Sequence, residues 1–121
     1  MRVAMDTSAL MMPVECDVRV FEELDRLLDG EYDCVVPRSV LLELDELAEE
    51  GGRAATAASV GRDLADRCET VETEATYADD ALVELAERGD CEYVVTNDGP
   101  LRDRLPSKAI GLRGRNKLAI Q

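Results

Sequence analysis

The heptapeptide Glu92-Tyr93-Val94-Val95-Thr96-Asn97-Asp98 joins a short apolar run to an abrupt polar end. Such a run between polar residues predicts a buried β-strand. A carboxylate at the tip of a buried strand is costly unless a partner compensates it. The beginning of the chain repeats the pattern, because Val3-Ala4-Met5 leads into Asp6-Thr7-Ser8. Ligands bind at the carboxyl edge of open α/β sheets, so the two strands predict one shared site there.

The length and charge of the chain limit its class. A chain of 121 residues predicts one compact domain, residues 1–121, with one core. Acidic residues outnumber basic ones by 27 to 14, a balance that normally disfavours nucleic acid as a partner. The acid-rich, lysine-poor composition is similar to that of proteins from halophilic organisms. We therefore interpret the acidity first as a solvation property, since molar salt shortens the Debye length to about 3 Å.

The basic residues are concentrated at the end of the chain. From Arg102 onward the sequence contains six basic residues and a single acid, Asp103. A basic segment on an acidic body is a candidate contact for phosphate groups, and its candidate RNA-binding residues are Arg113, Arg115 and Lys117. The alternative is a solvated tail that offsets self-repulsion, and the sequence leaves both interpretations open.

The cysteines indicate neither a zinc site nor a disulfide scaffold. The four cysteines are scattered, without a C-x-x-C pair, and the chain has no His. We expect all four to be small apolar fillers, as in a protein of the reducing cytoplasm. No apolar run approaches a membrane-spanning length and no signal peptide opens the chain, so we expect no membrane contact and a cytoplasmic location.

The apolar periodicity predicts strands that alternate with helices. Strands are predicted at 2–5, 34–36, 69–72, 92–95 and 109–112, and helices at 17–28, 39–50, 53–68, 78–88 and 100–105. Pro13 marks a predicted loop after the first strand. Ser39, a capping box from Thr76 to Asp79, and Asp98 are the predicted helix caps. This alternation predicts an α/β fold, a three-layer α/β/α sandwich with a mainly parallel central sheet.

The candidate chemistry lies in acids from four separate elements: Asp6, Glu43, Asp79 or Asp80, and Asp98. Clustered carboxylates repel one another, so such a cluster requires cations. Oxygen ligands without His or Cys favour Mg²⁺ or Mn²⁺, which activate water in phosphodiester hydrolysis. Each acid also has a simpler interpretation, as a helix cap, a partner of a helix dipole or a surface charge.

Four short motifs follow one another along nearly the whole chain. They are Asp6-Thr7-Ser8-Ala9-Leu10, Val40-Leu41-Leu42-Glu43-Leu44, Asp80-Ala81-Leu82-Val83 and Val94-Val95-Thr96-Asn97-Asp98. This ordered set resembles the PIN-domain family of metal-dependent ribonucleases. The resemblance implies a parallel sheet with helices on both faces, and the hydrolysis of single-stranded RNA by metal-activated water.

Three further segments look like the branch of that family that cleaves ribosomal RNA precursors. They are Thr76-Tyr77-Ala78-Asp79-Asp80, Thr96-Asn97-Asp98 and Leu112-Arg113-Gly114-Arg115-Asn116-Lys117-Leu118. By resemblance, the catalytic acids that hold Mg²⁺ or Mn²⁺ are Asp6, Glu43, Asp80 and Asp98, with assistance from Asp79. The hydroxyls of Ser8 and Thr96 would orient these carboxylates. The implied partners are single-stranded RNA and ribosome-assembly factors.

Other functions remain as alternatives. Within the family, a toxin ribonuclease bound by an antitoxin, or a non-catalytic interaction module, fits the same sequence, and a homodimer is compatible with either. A receiver domain requires an acidic pair after its first strand, where this chain has Asp6 alone. A dehalogenase-type phosphatase requires a second Asp at the position of Ser8. A dinucleotide-binding domain requires G-x-G-x-x-G after the first strand, and this motif is absent.

Overall fold

A six-stranded sheet forms the centre of the computed structural model, which describes residues 1–121. In chain order the strands are β1 (Arg2–Met5), β2 (Asp33–Pro37), β3 (Glu69–Val71), β4 (Tyr93–Val95), β5 (Lys108–Arg113) and β6 (Lys117–Ile120). Their spatial order is β3-β2-β1-β4-β5-β6. All neighbouring pairs are parallel except β5 and β6. The predicted α/β fold with a mainly parallel sheet is confirmed.

Six α-helices surround the sheet: α1 (Thr7–Glu15), α2 (Val20–Leu28), α3 (Arg38–Ala48), α4 (Gly52–Leu64), α5 (Ala78–Glu87) and α6 (Gly99–Arg104). The chain runs from β1 to β3 in one direction across the sheet and from β3 to β5 in the other. Because crossovers between parallel strands are right-handed, the two directions place helices on both faces. On one face α4 packs against α1 and α3, while α5 contacts α6 on the other. No helix is both long and apolar enough to cross a membrane.

The core lies on both faces of the central strands. Val3, Ala4 and Met5 of β1 are fully buried, as are Val94 and Val95 of β4. Strands covered on both faces have continuous apolar sequences rather than alternating ones, which is why the short runs before Asp6 and Asp98 were recognisable.

Helix α1 replaces the loop that Pro13 predicted. Asp6 is its N-cap residue, and Pro13 lies inside it. The proline removes one backbone hydrogen bond, which normally disfavours a helix interior. The cost is offset because Leu10 and Met12 are buried in the core. Tertiary burial therefore overrides the local signal.

Two of the predicted helix caps are wrong. Helix α3 follows Pro37 without a side-chain cap, and the hydroxyl of Ser39 is buried without a hydrogen-bond partner. Helix α5 follows Tyr77, also without a side-chain cap, so the capping box from Thr76 does not form. The third cap is confirmed, since Asp98 precedes α6 and accepts from its backbone.

Cys34 and Cys68 form a disulfide, so the prediction that all cysteines are free is wrong for this pair. Cys34 belongs to β2 and Cys68 directly precedes β3, and their Cα atoms are 4.6 Å apart. The pairing of β2 with β3 brings them together, although 34 positions separate them in the sequence. Cys16 and Cys91 remain free thiols.

The last strand, β6, was not predicted, and its outer edge is covered by α2. The backbone N–H of Leu118 donates to Oε1 of Glu23 at 2.9 Å, and the carbonyl of Leu118 accepts from Nη2 of Arg26 at 2.9 Å. Glu23 and Arg26 also form an ion pair with each other. These side chains satisfy backbone groups that an exposed sheet edge would otherwise offer to another strand.

We predict that Gly61→Ala destabilises the protein. Gly-to-Ala substitution in an exposed helix interior stabilises by about 1 kcal/mol. A Cβ at Gly61, however, would lie 2.7 Å from the backbone oxygen of Leu10, where α4 packs on α1. We expect the free energy of unfolding in urea to fall by about 1–3 kcal/mol. The control is Ser59→Ala at an exposed position of α4. A Gly61→Ala variant more stable than the wild type would contradict this close helix contact.

Candidate active site

The candidate site is centred on Asp6, which directly follows β1 at the carboxyl edge of the sheet. Only 4% of its surface is exposed. Its Oδ1 accepts from the backbone N–H of Ala9 at 2.7 Å, and the Ser8 hydroxyl donates to Oδ1 and Oδ2 at 2.8 and 3.0 Å. The carboxylate is therefore held by the first turn of α1, whose N-terminal dipole favours a negative charge.

Burial raises the pKa of Asp6 from 3.8 to about 6. Hydrogen bonds from Thr96, Ala9 and Ser8 oppose this shift, and the negative charge of Asp79 adds to it. No basic side chain forms an ion pair with Asp6. The desolvation cost of a charged Asp6 is thus only partly compensated within the chain.

The loop after β4 is hydrogen-bonded to the same region. Thr96 is fully buried, and its hydroxyl accepts from the backbone N–H of Asp98 at 2.9 Å. The N–H of Asn97 donates to the Ser8 hydroxyl at 3.1 Å. Asp98 caps α6 by accepting from the N–H of Leu101 at 3.3 Å. The two strand ends are adjacent in the sheet and hydrogen-bonded to each other at its carboxyl edge, where the sequence predicts a shared site.

The site opens into a cavity of about 310 Å³. Its lining consists mostly of oxygen-bearing side chains: Asp6, Thr7, Ser8, Met11, Glu15, Glu43, Asp79 and Asp98. We refer to the five acids of this set as the cavity carboxylates. Asp6, Glu43 and Asp98, predicted from three separate elements, are brought together here. Ser8 contacts Asp6 directly, while Thr96 lies beneath the lining.

The structure separates the adjacent acids Asp79 and Asp80. Asp79 lines the cavity, and its pKa is raised by partial desolvation and then by the carboxylates of Asp98 and Glu43. Asp80 lies outside the cavity, where its Oδ1 accepts from Nη2 of Arg104 at 2.7 Å. Successive residues of a helix point about 100° apart, and of this pair it is Asp79 that faces the cavity. Of the two acids expected to contribute ligands, Asp79 therefore lines the cavity and Asp80 does not.

Glu15 is a cavity residue that the sequence analysis missed. It lies at the end of α1, on the same helix as Ser8 and Met11. The spacing of these three positions, three and then four residues, places them on one helix face. The signal existed in the sequence, but it was usable only if Thr7–Glu15 had been recognised as a helix.

The cavity residues fit a divalent cation in their chemistry. The ligands on offer are carboxylate and hydroxyl oxygens, which Mg²⁺ and Mn²⁺ prefer. The buried hydroxyl of Thr7 has no hydrogen-bond partner, and no cavity carboxylate takes part in an ion pair. As positioned, no three acidic or thiol side chains converge closely enough to hold a metal ion. We refer to the exposed acids of the lining, Glu15, Glu43 and Asp79, as the rim carboxylates. Coordination of a cation by Asp6 would therefore require rim carboxylates to rotate toward it.

The basic residues predicted to bind RNA form a hairpin at the same edge of the sheet. Arg113 ends β5, Arg115 lies in the turn, and Lys117 begins β6 opposite Arg113. We call these three residues the basic hairpin. All three are exposed and none forms an ion pair. The hairpin is tied to the site because the N–H of Leu112 donates to Oδ1 of Asn97 at 3.3 Å.

We predict that the metal-free protein loses stability as pH rises from about 4 to about 6. The folded state retains the Asp6 proton up to a pKa of about 6, whereas the unfolded chain loses it near 3.8. A raised carboxyl pKa therefore lowers the free energy of unfolding as the group ionises, by about 3 kcal/mol above about pH 7. This decrease should disappear in Asp6→Asn. Urea unfolding at several pH values, with a metal chelator in the buffer, measures the difference between the two proteins.

The control for this experiment is Asp103→Asn, which removes the same charge from an exposed position of α6. Its free energy of unfolding should depend on pH as in the wild type. Both substitutions remove one negative charge, so a change in overall charge repulsion would affect both variants equally. An identical pH profile for Asp6→Asn and Asp103→Asn would contradict a buried, uncompensated Asp6.

Comparisons with known proteins agree with this geometry. The family model described as "PIN like domain" matches residues 3–115. A sequence comparison with the curated proteins finds no match. Among solved structures, the PIN domain endonuclease Utp24 is similar with a TM-score of 0.80 and 25% identity, over 99% of this chain and 90% of that one.

Two further structures share the fold at lower identity. VapBC2 from Rickettsia felis, bound to a DNA fragment from the promoter, has a TM-score of 0.66 and 14% identity, over 92% of this chain and 98% of that one. A domain of a Methanocaldococcus jannaschii protein has a TM-score of 0.67 and 15% identity, over 96% and 94%. The family match and the endonuclease relative support a nuclease function in the broad sense. The chain belongs to the PIN-like domain family, as its four ordered motifs predicted.

Proposed function

We propose that this protein is a metal-dependent endoribonuclease that hydrolyses phosphodiester bonds of single-stranded RNA with Mg²⁺ or Mn²⁺. The observation that carries the proposal is the buried Asp6 carboxylate, which faces an oxygen-lined cavity without a basic partner. A buried uncompensated charge is unfavourable for stability alone. Its presence at the carboxyl edge of the sheet is accounted for if a cation binds there when the protein acts.

The acids have different parts in the proposed site. Asp6 and Asp98 would hold the ion from the floor, where backbone N–H groups of two helix starts fix both carboxylates. Glu43 and Asp79 would complete the coordination from the rim. We thus propose Asp79 as the metal ligand from α5, whereas the family resemblance alone assigns that role to Asp80. Asp80 instead pairs with Arg104 and thereby connects α5 to α6.

A divalent cation, when bound, neutralises charge on the phosphate and lowers the pKa of water so that it attacks phosphorus at neutral pH. The protein contributes orientation. The Ser8 and Thr96 hydroxyls hold Asp6 and the Asp98 backbone in place, so the carboxylates need little rearrangement. Attack of water on phosphorus breaks the bond to the leaving ribose oxygen, and the products are two shorter RNA strands.

Because the protein is strongly acidic, RNA binding depends on local clusters of basic residues. With a net charge of −13, most of the surface repels phosphate groups. The basic hairpin is the exception at the edge where the cavity opens, and we propose that it binds RNA phosphates on one side of the cleaved bond. The motif likeness to the ribosomal RNA-processing branch, together with the similarity to Utp24, leads us to propose ribosomal RNA precursors as the substrate and ribosome-assembly factors as partners.

The decisive test is a cleavage assay with purified protein, unstructured RNA and Mn²⁺ or Mg²⁺. We predict that Asp6→Asn and Asp79→Asn each lower the cleavage rate by about 100-fold or more, because each removes a cation ligand. Asp80→Asn is the matched control, since it changes the neighbouring acid that pairs with Arg104. It should retain most of the activity.

Three results of this assay would contradict the proposal. Full activity of Asp6→Asn would show that Asp6 is not required for cleavage and that the active site is wrongly assigned. Loss of activity in Asp80→Asn with retention in Asp79→Asn would restore the assignment made from resemblance. The absence of both cleavage and Mn²⁺ binding in the wild type, the latter measured by calorimetry, would favour an interaction module without catalysis.

We also predict that Arg113→Ala combined with Arg115→Ala weakens RNA binding without changing affinity for Mn²⁺. Each phosphate contact contributes about 0.7 to the slope of log affinity against log salt for single strands, so the double variant should show a shallower slope. Filter binding over a salt series measures this slope. Arg53→Ala, at an exposed position of α4, is the control. An unchanged slope would show that the basic hairpin is only solvated surface.

A further inference from the structure

Tyr77 is an exposed aromatic residue that the fold does not require. Its exposed fraction is 77%, the highest among the large apolar residues on the surface. The chain has only four aromatic residues, and the other three, Phe21, Tyr32 and Tyr93, are partly buried. The Tyr77 side chain does not cap α5 and makes no hydrogen bond within the chain. Nothing in the core explains a large ring at this position.

The start of α5 places the backbone of Tyr77 close to a cavity carboxylate. It is the N-cap residue of α5, and its carbonyl accepts from the N–H of Ala81 at 2.9 Å. Asp79, a cavity carboxylate, follows two positions later, so the two Cα atoms are at most about 7 Å apart. The ring is therefore attached to the rigid start of a helix beside the cavity.

A second exposed apolar side chain lies next to another cavity carboxylate. Leu42, which is 56% exposed, directly precedes Glu43 on α3. Glu43 and Asp79 are close enough for the charge of Glu43 to raise the pKa of Asp79. Each of these two cavity carboxylates thus has an exposed apolar residue within two positions in the sequence, which suits a ligand that has both charged phosphates and flat apolar faces.

The basic hairpin lies at the ends of β5 and β6, beside β4 in the sheet. In the spatial order of strands, β5 and β6 are on one side of the central pair β1 and β4, and β3 is on the other. The chain reaches Tyr77 from β3. A strand of RNA that contacts the basic hairpin and reaches Asp79 in the cavity would pass close to the backbone of Tyr77.

We propose that Tyr77 is a positioning residue whose ring stacks on an unpaired nucleobase next to the bond that is cleaved. Aromatic side chains bind single-stranded RNA in this way, and stacking tolerates any base because every base has a flat face. The inference rests on the proposed function and deepens it. A base paired in a duplex would have to be unpaired and unstacked to reach the ring, which costs free energy, so Tyr77 favours single-stranded substrate.

Fluorescence tests the stacking directly, because the chain contains no Trp. Tyr77→Trp introduces a single reporter, and Asp6→Asn in the same protein prevents cleavage. A short oligoadenylate should quench this Trp at concentrations where an abasic ribose-phosphate oligomer of equal length does not. Val60→Trp, at an exposed position of α4 outside the cavity, is the control and should not respond. Equal quenching by both oligomers, or none by either, would overturn the proposal.

Kinetics of the active enzyme give an independent readout. Tyr77→Ala should raise KM for unstructured RNA about tenfold, as expected for the loss of one stacked base, with kcat changed by no more than about twofold. Tyr77→Phe keeps the ring and should restore the KM of the wild type. A wild-type KM in Tyr77→Ala, or a Tyr77→Phe variant as impaired as Tyr77→Ala, would contradict stacking.

The two measurements separate this inference from the nuclease proposal. Quenching of Tyr77→Trp by oligoadenylate, without cleavage by the wild type, would support the stacking site and reject the nuclease. Cleavage by the wild type without base-dependent quenching would support the nuclease and reject the role of Tyr77.

Discussion

The burial of the Asp6 carboxylate is the constraint on which the site and much of the fold depend. Its negative charge lies at the end of the central strand, where transfer out of water is strongly unfavourable. The Ser8 hydroxyl and the Ala9 N–H compensate part of this cost, and the remainder appears as a pKa of about 6. The hydrogen bond from Ala9 also starts α1, so one carboxylate both ends the strand and begins the helix.

Hydrogen bonds around the same hydroxyls position Asp98 and the start of the basic hairpin. Ser8 accepts from the backbone of Asn97, and Thr96 accepts from that of Asp98, so the ends of β1 and β4 are fixed relative to each other. Asn97 in turn accepts from β5, which leads to the basic hairpin. The cavity carboxylates and the basic hairpin therefore lie at one edge of the sheet. The rest of the protein surface is strongly negative. This separation of charge would suit the proposed metal-dependent cleavage of RNA.

Much of the fold followed from local patterns, and the exceptions have physical causes. The runs before Asp6 and Asp98 are continuous and apolar because both faces of their strands are covered, and such runs are visible in the sequence. Helix α1 contains Pro13 and was missed, since the burial of Leu10 and Met12 that stabilises it is a tertiary effect. Strand β6 was missed because its stability comes from pairing with β5 and from the side chains of α2 on its edge.

The sequence by itself determined the order of the first five strands along the chain, because apolar runs and helical periodicity are visible in it, and its four ordered motifs determined the family. Only the tertiary structure placed Asp79 in the cavity and Asp80 outside it, joined Cys34 to Cys68 and added Glu15 to the cavity. Each of these outcomes depends on the direction of a side chain or on the adjacency of distant strands. A helix turns about 100° per residue, and its rotation about its own axis is set by packing against the sheet and by contacts such as Asp80 with Arg104.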